Sequence, residues 1–589
     1  MLNRKQVHRN RLMRPGESCS STFGPASDET LYPCTKRQIR VSSLRLHPLL
    51  PSLTPENPLS RLLPAGPATM PATMAGIMRA ILACVPAAPS SIGKGSLSAA
   101  APSSIGKGSL SAAAPGGGGG GGGGGGEDLI SRLPDALLAD IVSRLPVKEA
   151  ARTAAISPRW RRLRPSTPLV LDDTDIFDDY AEADDDDDTF GLIDWPALTD
   201  TLSRIFSGHP GPFRCVHLTT ACNYASARRG GSALVRWLHL FAAKSIQELV
   251  LINFPNWPFK NTLPAEILRV ASLRRLYLGL WDKFPDTDDL LRGAHVFPHL
   301  AELGFCKTDI KTKDLDRLLQ CSPVLEKLAL VLCYNTPRNV RVRSRSLRCV
   351  LFWMSIAEAL AVAVAPCLER LILWNDCPGA WLSKDFRTRV KIGYAPELKV
   401  LGYLEPSFHV LEIGNTVIEA GTRASSTTTI PSVKILALRV RFGVRKEAKV
   451  LPIFLRCFPN VETLHVMSAE SDEPTGKLNF KFWHDVGPIE SLQSHTKKVV
   501  FKNFRGKRSE VVFLRFVVER AQLLQKMVVV LADGDPASEQ WVAAKLKPLA
   551  CSTKRASRDP KFSILVRSGG SDWSFRIASN LSKSDPFDS

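Results

Sequence analysis

From residue 213 onward the chain repeats one hydrophobic hexad, apolar-x-x-apolar-x-apolar. It runs "FRCVHL" (Phe213, Val216, Leu218), "IQELVL" (Ile246, Leu249, Leu251), "LRRLYL" (Leu273, Leu276, Leu278) and "LAELGF" (Leu300, Leu303, Phe305). "LEKLAL" (Leu325, Leu328, Leu330), "LRCVLF" (Leu347, Val350, Phe352) and "LERLIL" (Leu368, Leu371, Leu373) follow. "LKVLGY" (Leu398, Leu401, Tyr403), "VKILAL" (Val433, Leu436, Leu438) and "VETLHV" (Val461, Leu464, Val466) complete the series. Alternate apolar positions predict short strands with one face inward. Segments between them, such as "DLDRLLQCSP" and "LPIFLRCFPN", read as helices. First positions are separated by 33, 27, 27, 25, 22, 21, 30, 35 and 28 residues. Such units bury their leucines only against their neighbours, which predicts an α/β solenoid with parallel strands on the concave face and helices outside. The alternative is an ordinary parallel α/β domain.

Ahead of the repeats the period changes to that of helices. In "LPDALLADIVSRLPVKEAARTAAISPRWRRL" the residues Leu133, Leu137, Leu138, Ile141, Val142 and Leu145 recur at helical spacing. Pro134 and Asp135 suit the first turn, and Pro146 stops the helix. A second, alanine-rich helix follows. Ser157-Pro158 opens a third, carrying Trp160 and Leu163. Three short helices cannot bury this much leucine among themselves, so part of the apolar surface is left for a partner. Beyond the repeats, "HTKKVVFKNFRGKRSEVVFLRFVVERAQLLQKMVVVL" predicts strand, turn, amphipathic helix and strand. Val512, Phe513, Phe516, Val517, Ala521 and Leu524 lie on one helix face.

Residues 1–126 read differently. "APSSIGKGSLSAA" occurs at 88–100 and again at 101–113, and Gly116–Gly126 is an unbroken glycine run. Such composition predicts a disordered, low-complexity segment. "GKGS" lacks the first glycine of a phosphate loop. The acidic run "DDTDIFDDYAEADDDDDTF" fails as a calcium loop, because counting from Asp173 puts Asp178 where glycine is required. It reads as a solvated linker.

These patterns carry a family resemblance. The LPD…LL…I…LP frame, the basic-Ala-Arg-Thr segment and S-x-x-W resemble a plant F-box, with Leu163-Arg164 departing from the usual Leu-Trp. The hexads resemble divergent plant leucine-rich repeats, since the asparagine usual after the strand is mostly missing. Lys498-Val499, Phe504-Arg505-Gly506, Phe513-Leu514, Val518 through Ala521 and Leu524 through Met527 resemble the FBD module. The resemblance implies a three-helix F-box, a repeat solenoid and an FBD-like α/β cap over its open edge. The boundaries read as 1–126 disordered, 127–170 F-box, 171–200 acidic linker, 201–484 repeats, 485–570 FBD-like module and 571–589 tail.

Composition narrows the function classes. The net charge is +20, but residues 1–126 hold 13 Lys+Arg against 4 Asp+Glu, and no long basic block marks the rest. That argues against a nucleic-acid interface. Thirteen cysteines without a CxxC pair read as reduced thiols of a nuclear or cytoplasmic protein, with no zinc spacing. No apolar run of 18 residues predicts a membrane span, and "MAGIMRAILACV" is short and interrupted by Arg79. "MLNRKQVHRNRLMRPG" lacks the apolar core of a secretory leader.

No GxSxG, HExxH or GxGxxG frame occurs, so no catalytic residue, metal or cofactor is assigned. His465 and His484 read as packing or surface residues. The resemblance implies a substrate receptor of an SCF-type ubiquitin ligase, docking a Skp-type adaptor and through it a cullin, with a protein substrate on the repeats. The implied adaptor-binding residues are Leu133, Pro134, Leu137, Leu138, Ile141, Leu145, Pro146, Ile156 and Trp160. The rival readings are a stand-alone repeat scaffold and a basic nucleic-acid-associated protein.

Overall fold

The computed structural model describes residues 70–87 and, in sections, 132–588. The expectations for Pro146, the glycine run, the duplicated tract and the acidic residues 177–190 lie outside the described residues.

After helix α1 (Met70–Cys84), three short helices follow: α2 (Asp135–Val142), α3 (Val147–Thr153) and α4 (Pro158–Leu163). The chain then enters β1 (Leu169–Asp172), α5 (Trp195–Gly208), β2 (Phe213–Leu218), α6 (Ala233–Ala243), β3 (Glu248–Ile252), β4 (Arg275–Gly279) and β5 (Glu302–Cys306). Next come α7 (Thr312–Gln320), β6 (Lys327–Val331), β7 (Asn339–Arg343), β8 (Cys349–Trp353), β9 (Ala359–Val364), β10 (Arg370–Trp374) and β11 (Thr388–Tyr394). They lead into β12 (Val400–Leu404), β13 (His409–Ile413), β14 (Thr416–Val417), β15 (Ile435–Val440), α8 (Arg445–Cys457) and β16 (Thr463–Ser468). The remainder is α9 (Phe480–Asp485), α10 (Glu490–Ser494), β17 (Lys498–Phe504), α11 (Arg508–Arg520), β18 (Lys526–Leu531), α12 (Glu539–Ala550), β19 (Ser563–Arg567) and α13 (Phe575–Ser579).

Fourteen strands form one parallel sheet in the order β1-β2-β3-β4-β5-β6-β8-β10-β12-β15-β16-β17-β18-β19. Its register follows the hexads. Leu249, Leu276, Leu303, Leu328 and Val350 are successive partners. Leu371, Leu401, Leu436, Leu464 and Val499 continue the row. All of these side chains point into the main core. Tyr403 is the exception. A bulge pairs Leu401 with Leu436 but Leu404 with Leu438, so Leu404 takes the inward place and Tyr403 turns to the opposite face. Gly402 at the bulge has φ +142°, and a Cβ there would meet the Ala437 carbonyl at 2.3 Å.

The missing asparagines are replaced by other donors. Three residues beyond the last hexad position, Trp281 donates its indole N–H to the Leu251 carbonyl at 3.2 Å. In the same place Thr308 donates to Leu278 at 3.1 Å, Cys333 to Phe305 at 3.5 Å and Ser355 to Leu330 at 3.0 Å. Each side chain reaches a backbone carbonyl of the preceding repeat, so neighbouring repeats are tied together without an asparagine.

The outer layer differs from an all-helical expectation. Between α7 and α8 it is a second sheet, β14-β13-β11-β9-β7. Its strands β7 and β9 lie in repeats of only 22 and 21 residues, which leave room for an outer strand but not for a helix with two connections, whereas β11 and β13 lie in repeats of 30 and 35 residues, where length does not decide. In β7 the burial alternates strictly, with Val340 and Val342 inside and Arg341 and Arg343 outside.

Two further expectations are corrected. Residues 70–87, inside the segment expected to be disordered, include α1, and Met78, Ile81, Cys84 and Val85 pack on the sheet's second face. The expected tail is folded as well. Trp573, Phe575, Ala578 and Phe587 are buried in that same layer. The sheet is therefore covered on both sides, and its strands read as near-continuous apolar runs such as "CVLFW", rather than alternating ones.

Candidate functional site

Two places are candidates for a functional site: the helical unit at 133–163 and the second face of the long sheet.

In the helical unit the peptide carbonyl of Pro134 accepts from the Leu137 and Leu138 amides, opening α2. Asp135 sits in its first turn, where a carboxylate faces the positive helix end. Arg159 ties α4 to α2, donating to the Asp135 carboxylate at 2.8 Å and to the Leu133 carbonyl at 2.5 Å. Leu138, Val142 and Leu163 are buried. One stripe remains open: Leu137 is 51% exposed, Ile141 42% and Ile156 67%. Leu137 and Ile141 are four residues apart and share one helix face.

The predicted adaptor-binding residues therefore divide. Leu137, Ile141, Ile156 and Pro134 are exposed. Leu133, Leu145 and Trp160 are half-buried, with Leu145 and Trp160 lining a cleft against β1 and α5. Leu138 is wholly buried, one residue and about 100° around the helix from Leu137, so it is core and not available to a partner. Pro146 is not among the described residues.

The acidic segment begins as structure. Asp173 is fully buried, and its carboxylate accepts from the Thr219 amide at 3.0 Å, the Thr219 hydroxyl at 3.1 Å and the Thr220 amide at 2.8 Å. It fastens the turn after β1 to the end of β2.

On the concave face, Cys215, His217 and Glu248 bring their ligand atoms within 4.8 Å of one another. Burial pushes the Glu248 carboxyl up, but the hydrogen bond from His217 and the Arg275 guanidinium outweigh it and hold it below its ordinary 4.5. Arg275 donates to Glu248 at 2.8 Å, and burial raises the Cys215 thiol well above its ordinary value. The Glu248 carboxylate is already held by His217 and Arg275, so the cluster reads as a satisfied polar network.

Farther along the same face, Trp353, Trp374 and Tyr403 stand on neighbouring strands and surround the Trp573 ring, with centroids at 5.0, 4.8 and 5.4 Å. Phe587 meets Tyr403 edge-on at 5.1 Å and lies tilted beside His465 at 5.4 Å. His465 Nε2 lies 2.9 Å from the Asp585 carboxylate, a partner that sequence spacing could not reveal. Arg370 donates to the carbonyls of Asn580, at 2.9 Å, and Leu581, at 3.2 Å, and also to that of Lys583. Sequence reasoning missed this constellation. Its one signal was the presence of Trp573, Phe575 and Phe587 in the last 17 residues.

Comparison with known proteins matches these parts separately. The family "F-box domain" matches residues 130–163, "FBD-associated F-box protein At5g56370, LRR repeats" matches 234–466 and "FBD" matches 484–529. Among similar proteins, F-box/LRR-repeat protein 13 of Arabidopsis thaliana is 25% identical over 442 residues, covering 69% of this chain and 90% of the relative. Putative FBD-associated F-box protein At5g53635 of the same plant is 23% identical over 433 residues, 68% of this chain and 94% of the relative. Putative F-box/FBD/LRR-repeat protein At5g22670, also of that plant, is 27% identical over 227 residues, 38% of this chain and 45% of the relative. An F-box domain implies binding to a Skp-type adaptor, and the F-box/LRR family is typically one of non-catalytic adaptors. Among the described residues no helix is long and apolar enough to cross a membrane. The chain thus carries an F-box, leucine-rich repeats and an FBD module in that order, the combination named in the Arabidopsis proteins it resembles.

Proposed function

We propose that the chain is the substrate-recognition subunit of an SCF-type ubiquitin ligase. The F-box docks a Skp-type adaptor and through it a cullin, and the repeat region holds a protein substrate. The observation that carries this reading is the open apolar stripe of Leu137, Ile141 and Ile156 on a helical unit whose other face is buried. Unpaired exposed leucine and isoleucine on a small unit favour a protein partner. The chain itself would do no chemistry. It would hold the substrate near a transferase, replacing a bimolecular encounter by an effective local concentration. The described cysteines are free, seven of them buried, which fits a reducing nuclear or cytoplasmic location. The test is co-purification of the full chain with a Skp-type adaptor and cullin. Recovery of both, lost on Leu137→Asp with Ile141→Asp, supports the reading. Undiminished recovery with that variant overturns it.

A further inference from the structure

The concave face, where a protein substrate of such a receptor would lie, is already occupied by the chain itself. From β4 to β16 its outward positions are Tyr277, Val331, Leu351, Ile372, Ala437 and Met467, all buried under other parts of the protein. Their cover comes from the two ends of the described chain: α1 over one sector and residues 573–588 over the next. The second segment is a strap and not a layer of regular structure. Beyond the five-residue α13 it has no helix or strand, and it crosses several strands of the sheet.

Two kinds of contact hold the strap. One is aromatic. Trp573 fills the cradle of Trp353, Trp374 and Tyr403, Phe575 meets Trp353 edge-on at 5.4 Å, and Phe587 meets Tyr403 likewise. The other is polar and points one way: the sheet supplies cations and donors, the strap supplies acceptors. Arg370 takes three strap carbonyls. His465 contacts Asp585, Lys498 donates to Asp588 at 2.5 Å, and Lys502 donates to the Phe587 carbonyl at 3.0 Å. Backbone carbonyls and carboxylates are what any extended acidic peptide offers, and aromatic cradles accept any bulky ring. None of these contacts depends on the strap being covalently part of the chain.

We propose that residues 573–588 are a resident stand-in for the substrate. The cradle of Trp353, Trp374 and Tyr403 with Arg370, His465 and Lys498 is the recognition surface, and its partner is an extended protein segment carrying aromatic residues and carboxylates. Such a segment binds by displacing the strap, so the free receptor is self-occluded. This rests on the receptor reading above, and it names the chemistry of the substrate and the site on the repeats. Occlusion also sets a threshold. A competing segment must outbind a tethered strap whose local concentration is in the millimolar range, which rejects weak, partial matches.

Cys349 provides an internal reporter. It stands on β8, paired in register with Arg370, buried in the layer beneath the strap. Cys457 is equally buried but lies on α8 in the main core. Native-state alkylation of the full chain with N-ethylmaleimide, read at each cysteine by mass spectrometry, separates local from global opening. A displaceable strap predicts that Cys349 reacts at least 10-fold faster than Cys457. In the full chain with Asp585→Lys and Asp588→Lys, Cys349 reacts faster still, Cys457 is unchanged, and a synthetic peptide of residues 571–589 in excess restores protection. Equal rates at the two cysteines in the unaltered chain would mean that the strap opens only with the whole fold, and would overturn the proposal even if the variant failed to fold. Failure of the peptide to protect a folded variant would overturn it equally. Adaptor co-purification reads the receptor function separately, so failure of one is not confused with failure of the other.

Discussion

The Arg370 guanidinium donates to the Asn580 carbonyl at 2.9 Å across 210 residues of chain. A side chain of the middle repeats thus holds the far C-terminal segment, and it does so from a position only 4% exposed. The planar guanidinium presents five donors in a rigid, wide fork, whereas an ammonium offers three donors from a single point on a shorter reach and cannot span the same carbonyls in the same geometry. Arg370→Met should therefore release the strap, and Arg370→Lys should not rescue it. Each hydrogen bond to a charged group is worth roughly 1.5–3 kcal/mol. The check is hydrogen exchange at residues 573–588, which should accelerate at least 10-fold in both variants. Unchanged exchange in Arg370→Met would show that the strap is held without Arg370, by the aromatic contacts and the Asp585, Phe587 and Asp588 contacts.

The strap should also respond to acid. Burial pushes the Asp585 carboxyl up, but the hydrogen bond and charge of His465, the Phe587 amide and Lys498 outweigh it and hold it below its ordinary 3.8. A carboxylate depressed in the folded state contributes stability that is full above its unfolded value and is lost as pH falls through its folded one. Strap protection should therefore be flat above about pH 5 and fall below pH 3.8. Asp585→Asn should remove that acid limb and weaken the strap at neutral pH. Hydrogen exchange at 573–588 in the two proteins between pH 3 and 6, corrected for intrinsic rates, measures both effects.

The F-box offers a contrast between two adjacent leucines. Leu137 faces solvent and Leu138 is fully buried. Leu138→Ala should cost about 2–5 kcal/mol of stability through lost burial and the cavity left behind. Leu137→Asp with Ile141→Asp should leave the melting temperature nearly unchanged and abolish adaptor co-purification. If that double variant unfolds the protein, the stripe belongs to the core and the docking assignment fails.

Removal of residues 1–126 is a further test. Low-complexity composition alone argues that the segment is dispensable, but α1 buries Ile81, Cys84 and Val85 on the sheet. A chain starting at Glu127 should melt several degrees lower and expose an apolar patch, measured by dye binding. One starting at residue 68 should behave like the full chain. Equal melting of all three would show that α1 adds no stability.

The inward face of the solenoid is legible in the sequence because its leucines recur in one hexad pattern, although the hexads are unevenly spaced. Leu249, Leu276 and Leu303 fall in one row from their spacing alone, and they are in-register partners in the sheet. The outer strands are legible in principle, since "NVRVR" alternates, but a leucine-rich repeat primes the expectation of a helix. Tyr403 leaves the inward row because one bulge residue shifts the hexad count. The open stripe of α2 and the buried Leu138 both fit the helical period, and periodicity alone does not say which neighbours cover which side. α1 and the strap escape sequence reasoning for a different reason. Both pair with residues hundreds of positions away, and their only local trace is a cluster of apolar side chains inside otherwise unpromising composition.

The FBD-like region is joined to the repeats more closely than a cap needs to be. β17 pairs with β16 in register, and β18 and β19 extend the same parallel sheet. The join is also made in the core: Phe442 packs on Phe513 at 5.2 Å, and Ser468 donates to the buried Glu510 carboxylate at 2.6 Å. That carboxylate in turn accepts from the Arg505 and Lys507 amides, fixing the start of α11. Ending the chain after residue 485 would leave β16 as an unpaired edge, strip Phe442 of its cover and remove the strap from the concave face. An exposed parallel edge beside an apolar layer promotes pairing between molecules. The truncated protein should therefore aggregate at micromolar concentration, while an F-box fragment expressed alone should still bind adaptor. Light scattering and sedimentation of residues 1–485 against the full chain decide the matter. A soluble monomer with an unchanged melting temperature would make the C-terminal region an independent domain, and the continuous core from β16 through β19 would then carry none of the stability assigned to it.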